Sequence, residues 1–314
     1  MAARIRYMAQ LGSHMRCYSS TPSRAAAEVK RLGVIGAGQM GLGIALVAAQ
    51  KAGLPVTLVD ASQASLDKGL AFADKLLAKD VAKSRISQTD ADAARARLTS
   101  TTSYDGLADV DFVIEAVPES LELKTAIFRQ LAAVCAAHTI LATNTSSISI
   151  TRIAAAAGSV STEASTRVVA THFMNPVPVQ RGVEIISGLQ TSSETLATAV
   201  ALCRAMGKVP STSADAPGFL ANRILMPYIN EAIICLETGV GDRDSIDDIM
   251  KNGTNVPMGP LQLADFIGLD TCLAIMRVLH VETGDSKYRP SVLLSKMVDA
   301  GWLGKKTGKG FYDY

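Results

Sequence analysis

Apolar positions between residues 30 and 215 come in short runs, each followed by a longer stretch with helical spacing. Leu32, Val34 and Ile35 form a first run over 31–35. An Ala-rich apolar helix follows to about residue 52, then a second run over 56–59 that ends at Asp60. A helix over 62–81 places Leu66, Leu70, Leu76 and Leu77 on one side. The run D-F-V-I-E-A-V over 111–117 predicts a strand buried on both faces, ended by Pro118. The series continues with a helix over 121–134, a strand over 139–143, strands over 167–171 and 182–186, a helix over 196–206 and a strand over 208–212. This alternation predicts an α/β, Rossmann-like doubly wound sheet, with ligands beyond the carboxyl ends of its strands. Glu119, Asn144, Thr145 and Ser146 fall on that side.

After Asp215-Ala216-Pro217-Gly218, which reads as a linker, the alternation stops. Helical spacing over 219–236, 244–250, 259–280 and 291–300 predicts an all-α C-terminal domain. The domains are then 28–214 for the sheet and 215–314 for the helices. Apolar residues on more than one face of the first and third of these helices suit burial against a second subunit. The Ala- and Ser-rich stretch over 86–98 has no course that the pattern settles.

Residues 1–27 stand apart. They hold no Asp or Glu, while Arg4, Arg6, Arg16 and Arg24 supply charge, and Met8, Leu11 and Met15 share one helical face. The stretch predicts a mitochondrial transit peptide and tail, and hence work in the matrix. Cleavage after Tyr18 would remove Arg4, Arg6 and Arg16 and no acid, so the basicity belongs to the leader. The competing reading is a disordered tail with no address.

With 48% hydrophobic and 19% charged residues the 314-residue chain has ordinary globular composition. A net charge of +2 does not suit a nucleic-acid binder. The longest apolar stretch, 41–59, is interrupted by Gln50, Lys51 and Pro55, so no membrane span is predicted. The five cysteines form no C-x-x-C pair, which argues for reduced thiols and against a metal site.

The first strand runs into Gly36-Ala37-Gly38-Gln39-Met40-Gly41. Gly36 permits the tight turn, Gly38 lets a pyrophosphate approach the backbone, and Gly41 allows the helix to pack on the strand. The helix N-terminus then faces the phosphate. Asp60 can accept hydrogen bonds from ribose hydroxyls and would repel a 2′-phosphate. Ala61, Ser62 and Gln63 offer no Arg to receive one, so NAD is favoured over NADP. FAD proteins share the motif in larger chains. Lys75, Lys79 and Lys83 share one helix face, either a solvated surface or a contact for an anionic ligand tail.

His172 closes one strand, and Glu184 sits among Val183, Ile185 and Ile186 in the next. A carboxylate in such surroundings is costly unless paired. A histidine held by a carboxylate suits proton removal from an alcohol, while a nicotinamide takes the hydride. Taken alone, His172 equally suits a residue that caps a loop.

Together the motifs resemble the short-chain L-3-hydroxyacyl-CoA dehydrogenase family. They are G-A-G-Q-M-G at 36–41, N-T-S-S at 144–147, H-F-M-N-P-V-P-V at 172–179 and V-E-I-I at 183–186, followed by D-A-P-G-F-L-A-N-R at 215–223, P-M-G-P-L at 257–261 and G-K-K-T-G-K-G-F-Y at 304–312. The resemblance implies catalysis by His172 and Glu184, with Ser146 on the substrate's 3-oxygen and Asn222 steadying substrate and histidine. It implies cofactor contacts from Gly36, Gly38, Gln39, Met40, Gly41, Asp60, Glu119, Lys124, Asn144, Ser146 and Lys306. Substrate contacts would come from Ser146, Asn222 and Lys124, with Lys75, Lys79 and Lys83 near the CoA phosphates. It also implies a homodimer through the helical domain. Gln180-Arg181-Gly182 departs from the family's usual run between the His and Glu strands. The implied activity is NAD-dependent oxidation of an L-3-hydroxyacyl-CoA in fatty-acid β-oxidation. A dehydrogenase of a free hydroxy acid or sugar acid, and a non-catalytic NAD-binding structural protein, are the alternatives.

Overall fold

A computed structural model describes residues 28–314, so the expected leader over 1–27 lies outside the described residues. The strands are β1 (Leu32–Ile35), β2 (Val56–Val59), β3 (Leu98–Thr101), β4 (Phe112–Glu115), β5 (Ile140–Thr143), β6 (Val168–Phe173), β7 (Gly182–Ser187) and β8 (Val209–Ala214). They form one sheet in the order β3-β2-β1-β4-β5-β6-β7-β8. Every neighbouring pair is parallel except β6 and β7. Those two are joined by a loop too short for the crossover that a parallel pair needs. The strand order reverses between β1 and β4, which opens a crevice at their carboxyl ends.

Alternate residues of the inner strands, β1, β2 and β4 to β7, feed two apolar layers. From β1, Leu32 and Val34 face the layer holding Leu42, Ile44, Leu58 and Leu66. Ile35 faces the other, with Phe128, Leu131 and Ile153. This is the period of two expected of strands covered on both faces. The helix Gln39–Val47 continues as one wider turn, Ala48–Ala52, and ends at Gly53 with φ +67.

Three stretches differ from the sequence pattern. Residues 86–98 hold a helix, Gln88–Ala96, begun by a capping box between Ser87 and Asp90, and lead into the polar edge strand β3. The helices Ile150–Gly158 and Thr162–Thr166 fill the span before β6. The apolar stretch over 259–280 is two helices, Pro260–Ile267 and Leu269–Thr283. They part at Gly268, φ +105, where the Leu269 amide donates to the Leu303 carbonyl rather than along a helix.

The C-terminal helices enclose a third core around Met226, Ile233, Leu273 and Met276. Two buried carboxylates fasten the chain's end to it. Asp265 accepts from the amides of Phe311 and Tyr312, and Asp247 accepts from the Tyr312 hydroxyl and from the Leu261 and Gln262 amides. No described helix is long and apolar enough to cross a membrane.

Candidate active site and cofactor cleft

The Gly-rich turn leaves β1 at Gly36, whose φ of +102 favours glycine. A Cβ there would stand 2.7 Å from the Ala116 carbonyl oxygen, and one on Gly41 would overlap the carbonyl oxygen of Gly36. Gly38 is different, because a Cβ would meet nothing within 4 Å. The space before it is free for a ligand. Gly38 also caps the helix Gln39–Val47 without any side-chain hydrogen bond, so the first amides are left for an anion. A cleft of about 880 Å³ opens here, lined by Gly36, Gly38, Gln39, Met40 and Asp60 among others. Asp60 is held at its edge by the Ala37 amide, 2.9 Å from Oδ2, and the Ser62 amide, 3.0 Å from Oδ1. Open room at Gly38, uncapped amides and a fixed carboxylate fit a dinucleotide.

Beyond the ends of β5, β6 and β7 lies a row of polar groups. His172 and Glu184 pair directly across β6 and β7, and both are buried. His172 Nδ1 stands 2.8 Å from Glu184 Oε2. A carboxylate can only accept, so Nδ1 carries a proton directed at Glu184, which leaves Nε2 to face the site. Nε2 faces the Ser146 hydroxyl at 3.2 Å. Glu184 Oε1 accepts from the amides of Leu220 and Ala221, each at 2.8 Å, where the helical domain begins. Burial pushes the Glu184 carboxyl up, but the hydrogen bonds from His172, Ala221 and Leu220 outweigh it and hold it below its ordinary value. Asn222, on the first turn of the helix Ala221–Glu237, reaches the Ser146 carbonyl at 3.4 Å. Asn144 Oδ1 accepts from the Phe173 amide at 2.8 Å, tying the end of β5 to that of β6.

Glu119 organises the loop that carries Ser146. Its Oε1 accepts from the Thr145 hydroxyl at 2.5 Å and, each at 3.0 Å, from the amides of Ser146 and Ser147 and the Ser147 hydroxyl. Lys124 is fully buried. Its ammonium donates to Glu115 Oε1 at 2.6 Å and the Val117 carbonyl at 3.3 Å, with Glu119 Oε2 at 3.6 Å. In this conformation it supports the loop from behind and presents no charge to the cleft. Lys306 lies in the helical domain, bound to Asp270 at 2.5 and 2.7 Å, and does not line the cofactor cleft. Lys75, Lys79 and Lys83 are exposed and do not line it either.

Sequence reasoning passed over several residues that the fold brings to the site. Lys68 and Phe72 line the cleft two turns and one turn before Lys75. Glu115, read only as part of a strand, is fully buried and joins Lys124 to the Thr143 hydroxyl at 2.7 Å. An acid inside an apolar run was the available signal. Asp215, read as linker, accepts from the Ser149 hydroxyl and the Ile150 and Thr151 amides, capping a helix beside the site. The described cysteines are all free, and burial pushes Cys135 up to about 11 and Cys203 and Cys272 to about 12. Among the described residues no cluster of His, Cys, Asp and Glu is placed to hold a metal ion.

Comparison with known proteins returns one consistent answer. Residues 31–216 match the family model for the NAD binding domain of 3-hydroxyacyl-CoA dehydrogenase, and residues 218–314 match that for its C-terminal domain. The chain is 50% identical over 287 residues to a probable 3-hydroxybutyryl-CoA dehydrogenase of Bacillus subtilis, covering 91% of this chain and 98% of that one. It is 41% identical over 304 residues to the human mitochondrial hydroxyacyl-coenzyme A dehydrogenase, covering 94% and 95%. The crystal structure of (S)-3-hydroxybutyryl-CoA dehydrogenase from Ralstonia eutropha superposes with a TM-score of 0.87 at 47% identity, covering 91% of this chain and 99% of that one.

Proposed function

Because this chain belongs to the 3-hydroxyacyl-CoA dehydrogenase family and is an NAD-dependent enzyme of it, we propose that it oxidises L-3-hydroxyacyl-CoA to the 3-ketoacyl-CoA in fatty-acid β-oxidation, with His172 as general base. The observation that carries this reading is the row Ser146–His172–Glu184, with Nδ1 held by Glu184 and Nε2 directed at the Ser146 hydroxyl.

His172 Nε2 takes the proton of the 3-hydroxyl. Glu184 keeps the ring in the required tautomer and stabilises the imidazolium that forms. Ser146 donates to the 3-oxygen, and Asn222 steadies the Ser146 loop and the substrate from the helical side. Bound NAD supplies the acceptor for the hydride leaving the same carbon. Gly36, Gly38, Gln39, Met40, Gly41 and Asp60 would hold its adenosine and pyrophosphate. Glu119, Asn144 and Ser146 would form the far end of its site, and Lys124 would act through Glu119. The test is loss of NADH absorbance with acetoacetyl-CoA, with free acetoacetate and NADPH as controls. Oxidation that requires both the CoA ester and NADH supports the reading. Oxidation with free acetoacetate alone would move the assignment to a hydroxy acid, and none at all to a non-catalytic NAD protein.

The helical domain is proposed to pair with a second copy. A groove beside Tyr228, Cys235, Ile246 and Pro260 leaves Val240 and Ile249 exposed. Covering such a face stabilises an oligomer. Sedimentation of the protein and of Ile249→Asp tests this, a monomer in both speaking against it. Matrix localisation is proposed from residues 1–27. The human relative is named as mitochondrial, while the Bacillus subtilis relative at higher identity is bacterial, so the proposal leans on that segment. Residues 1–27 fused to a fluorescent reporter should enter mitochondria; a cytosolic reporter would remove the proposal.

A further inference from the structure

Lys208 is buried just before β8, in a place where, among the described residues, no carboxylate answers its charge. Its Nζ donates to the carbonyl of Val177 and, at 2.8 Å, to that of Gln180. Among the described residues the one titratable group acting on it is Cys203, a thiol that stays neutral because burial pushes it to about 12. Burial also pulls the lysine below its ordinary value, with Cys203 opposing. Water or a neutral donor could satisfy two carbonyls at lower desolvation cost than a buried ammonium. What a single ammonium adds is geometry, since one short, strong donor draws together two carbonyls of the same loop.

That loop, 174–181, starts one residue after the end of β6 and finishes where β7 begins. His172 and Glu184 are therefore a few residues from its two ends. It also carries Asn175, whose Oδ1 accepts from Gln39 Nε2 of the Gly-rich turn at 3.2 Å. Val177 is buried against Gly43, where a Cβ would come within 2.9 Å of the valine. The loop thus bridges the proton-transfer pair and the cofactor turn, and Lys208 holds it at its centre.

We propose that Lys208 is a positioning residue for the reaction. Its ammonium sets the shape of the 174–181 loop, and through it the placement of the His172–Glu184 pair against the turn that carries Gln39. The proposal rests on the assignment of His172 and Glu184 above. It predicts a defect in the chemical step, because displacing a reacting group by about 1 Å can slow a reaction about a hundred-fold.

The experiment compares the full-length protein with K208M and K208R, using NADH and acetoacetyl-CoA. Measured quantities are kcat, both KM values, thermal unfolding and the isotope effect with deuterated NADH. K208M is expected to fold, to lose at least about ten-fold in kcat and to show a larger isotope effect. K208R, which keeps the charge, should recover most of the rate. A K208M protein that melts earlier but keeps kcat and isotope effect would reduce Lys208 to a structural role and overturn the proposal. If K208M does not fold, K208Q takes its place under the same criteria, and failure of both to fold overturns it as well. Normal K208M activity beside a dead His172→Gln would sink this proposal alone. An inactive wild-type protein would instead sink the functional assignment.

Discussion

Glu184 grips His172 with one carboxylate oxygen and the entrance to the helical domain with the other. The first contact is 2.8 Å to Nδ1, and the second is a pair of 2.8 Å bonds from the amides of Leu220 and Ala221. One side chain therefore couples the proton-transfer group to the placement of Asn222, which lies on the next residue of the same helix turn.

His172→Gln is expected to lower kcat by about a hundred-fold or more, the usual worth of a positioned general base. NADH affinity, read by fluorescence titration, should stay within about two-fold, since His172 does not line the cofactor cleft. A variant that loses both together would point to a damaged fold.

Glu184 also makes stability depend on pH. Its carboxyl lies below its ordinary value in the folded protein. It therefore stabilises the fold at pH above the unfolded value, and that contribution disappears as pH falls through the depressed folded one. Thermal unfolding of wild type and Glu184→Gln should differ most near pH 7 and converge below about pH 4. A gap that stays constant across this range would show that the carboxylate's charge does not matter to stability.

Gly38 and Gly41 should respond oppositely to alanine. Gly38 has φ −71, and a Cβ there meets open space, so Gly38→Ala should change unfolding by less than about 1 kcal/mol. Its methyl would occupy the approach of the pyrophosphate and raise the NADH dissociation constant about ten-fold. Gly41→Ala should destabilise the fold by about 1–3 kcal/mol, because its Cβ overlaps the Gly36 carbonyl. Equal effects on both properties at both positions would contradict this division.

Lys124→Met leaves the Glu115 carboxylate buried without its ammonium partner. The expected loss is about 3–5 kcal/mol. In Glu115→Gln with Lys124→Met the charge is gone, while Thr143 and the Val117 amide still have a carboxamide to meet. The double variant should be more stable than Lys124→Met alone. Additive losses in a urea-denaturation cycle would show that the two side chains act independently.

Asp60→Ser should raise the KM for NADH and improve the NADPH to NADH ratio of kcat/KM by at least about ten-fold, with the KM for acetoacetyl-CoA unchanged. An unchanged ratio would mean that Asp60 does not read the ribose.

The alternation of short apolar runs with helical spacing was enough to predict the doubly wound sheet. Buried parallel strands have no polar face to confuse the pattern, as β4 illustrates with all four residues buried. The Gly-rich turn and Asp60 were equally legible, because backbone geometry dictates those residue types locally. β3 escaped notice because Leu98-Thr-Ser-Thr has one buried residue and is held to β2 by backbone pairing. The break at Gly268 escaped because apolar spacing continues across it, while the contact that redirects the chain comes from distant Leu303.

The same division runs through the site. By itself the chain determined which groups were available: a histidine at a strand end, a carboxylate in an apolar strand, and hydroxyls and amides after β5. Those follow from short-range pattern and from the cost of burying charge without a partner. Only the tertiary structure decided which groups meet. Antiparallel register set His172 opposite Glu184, packing buried Lys124 against Glu115 rather than in the cleft, and the turn of the helix Gln63–Ala82 brought Lys68 to the cofactor cleft instead of the lysines after it. Each of those outcomes depends on contacts between residues far apart in sequence, which no local spacing encodes.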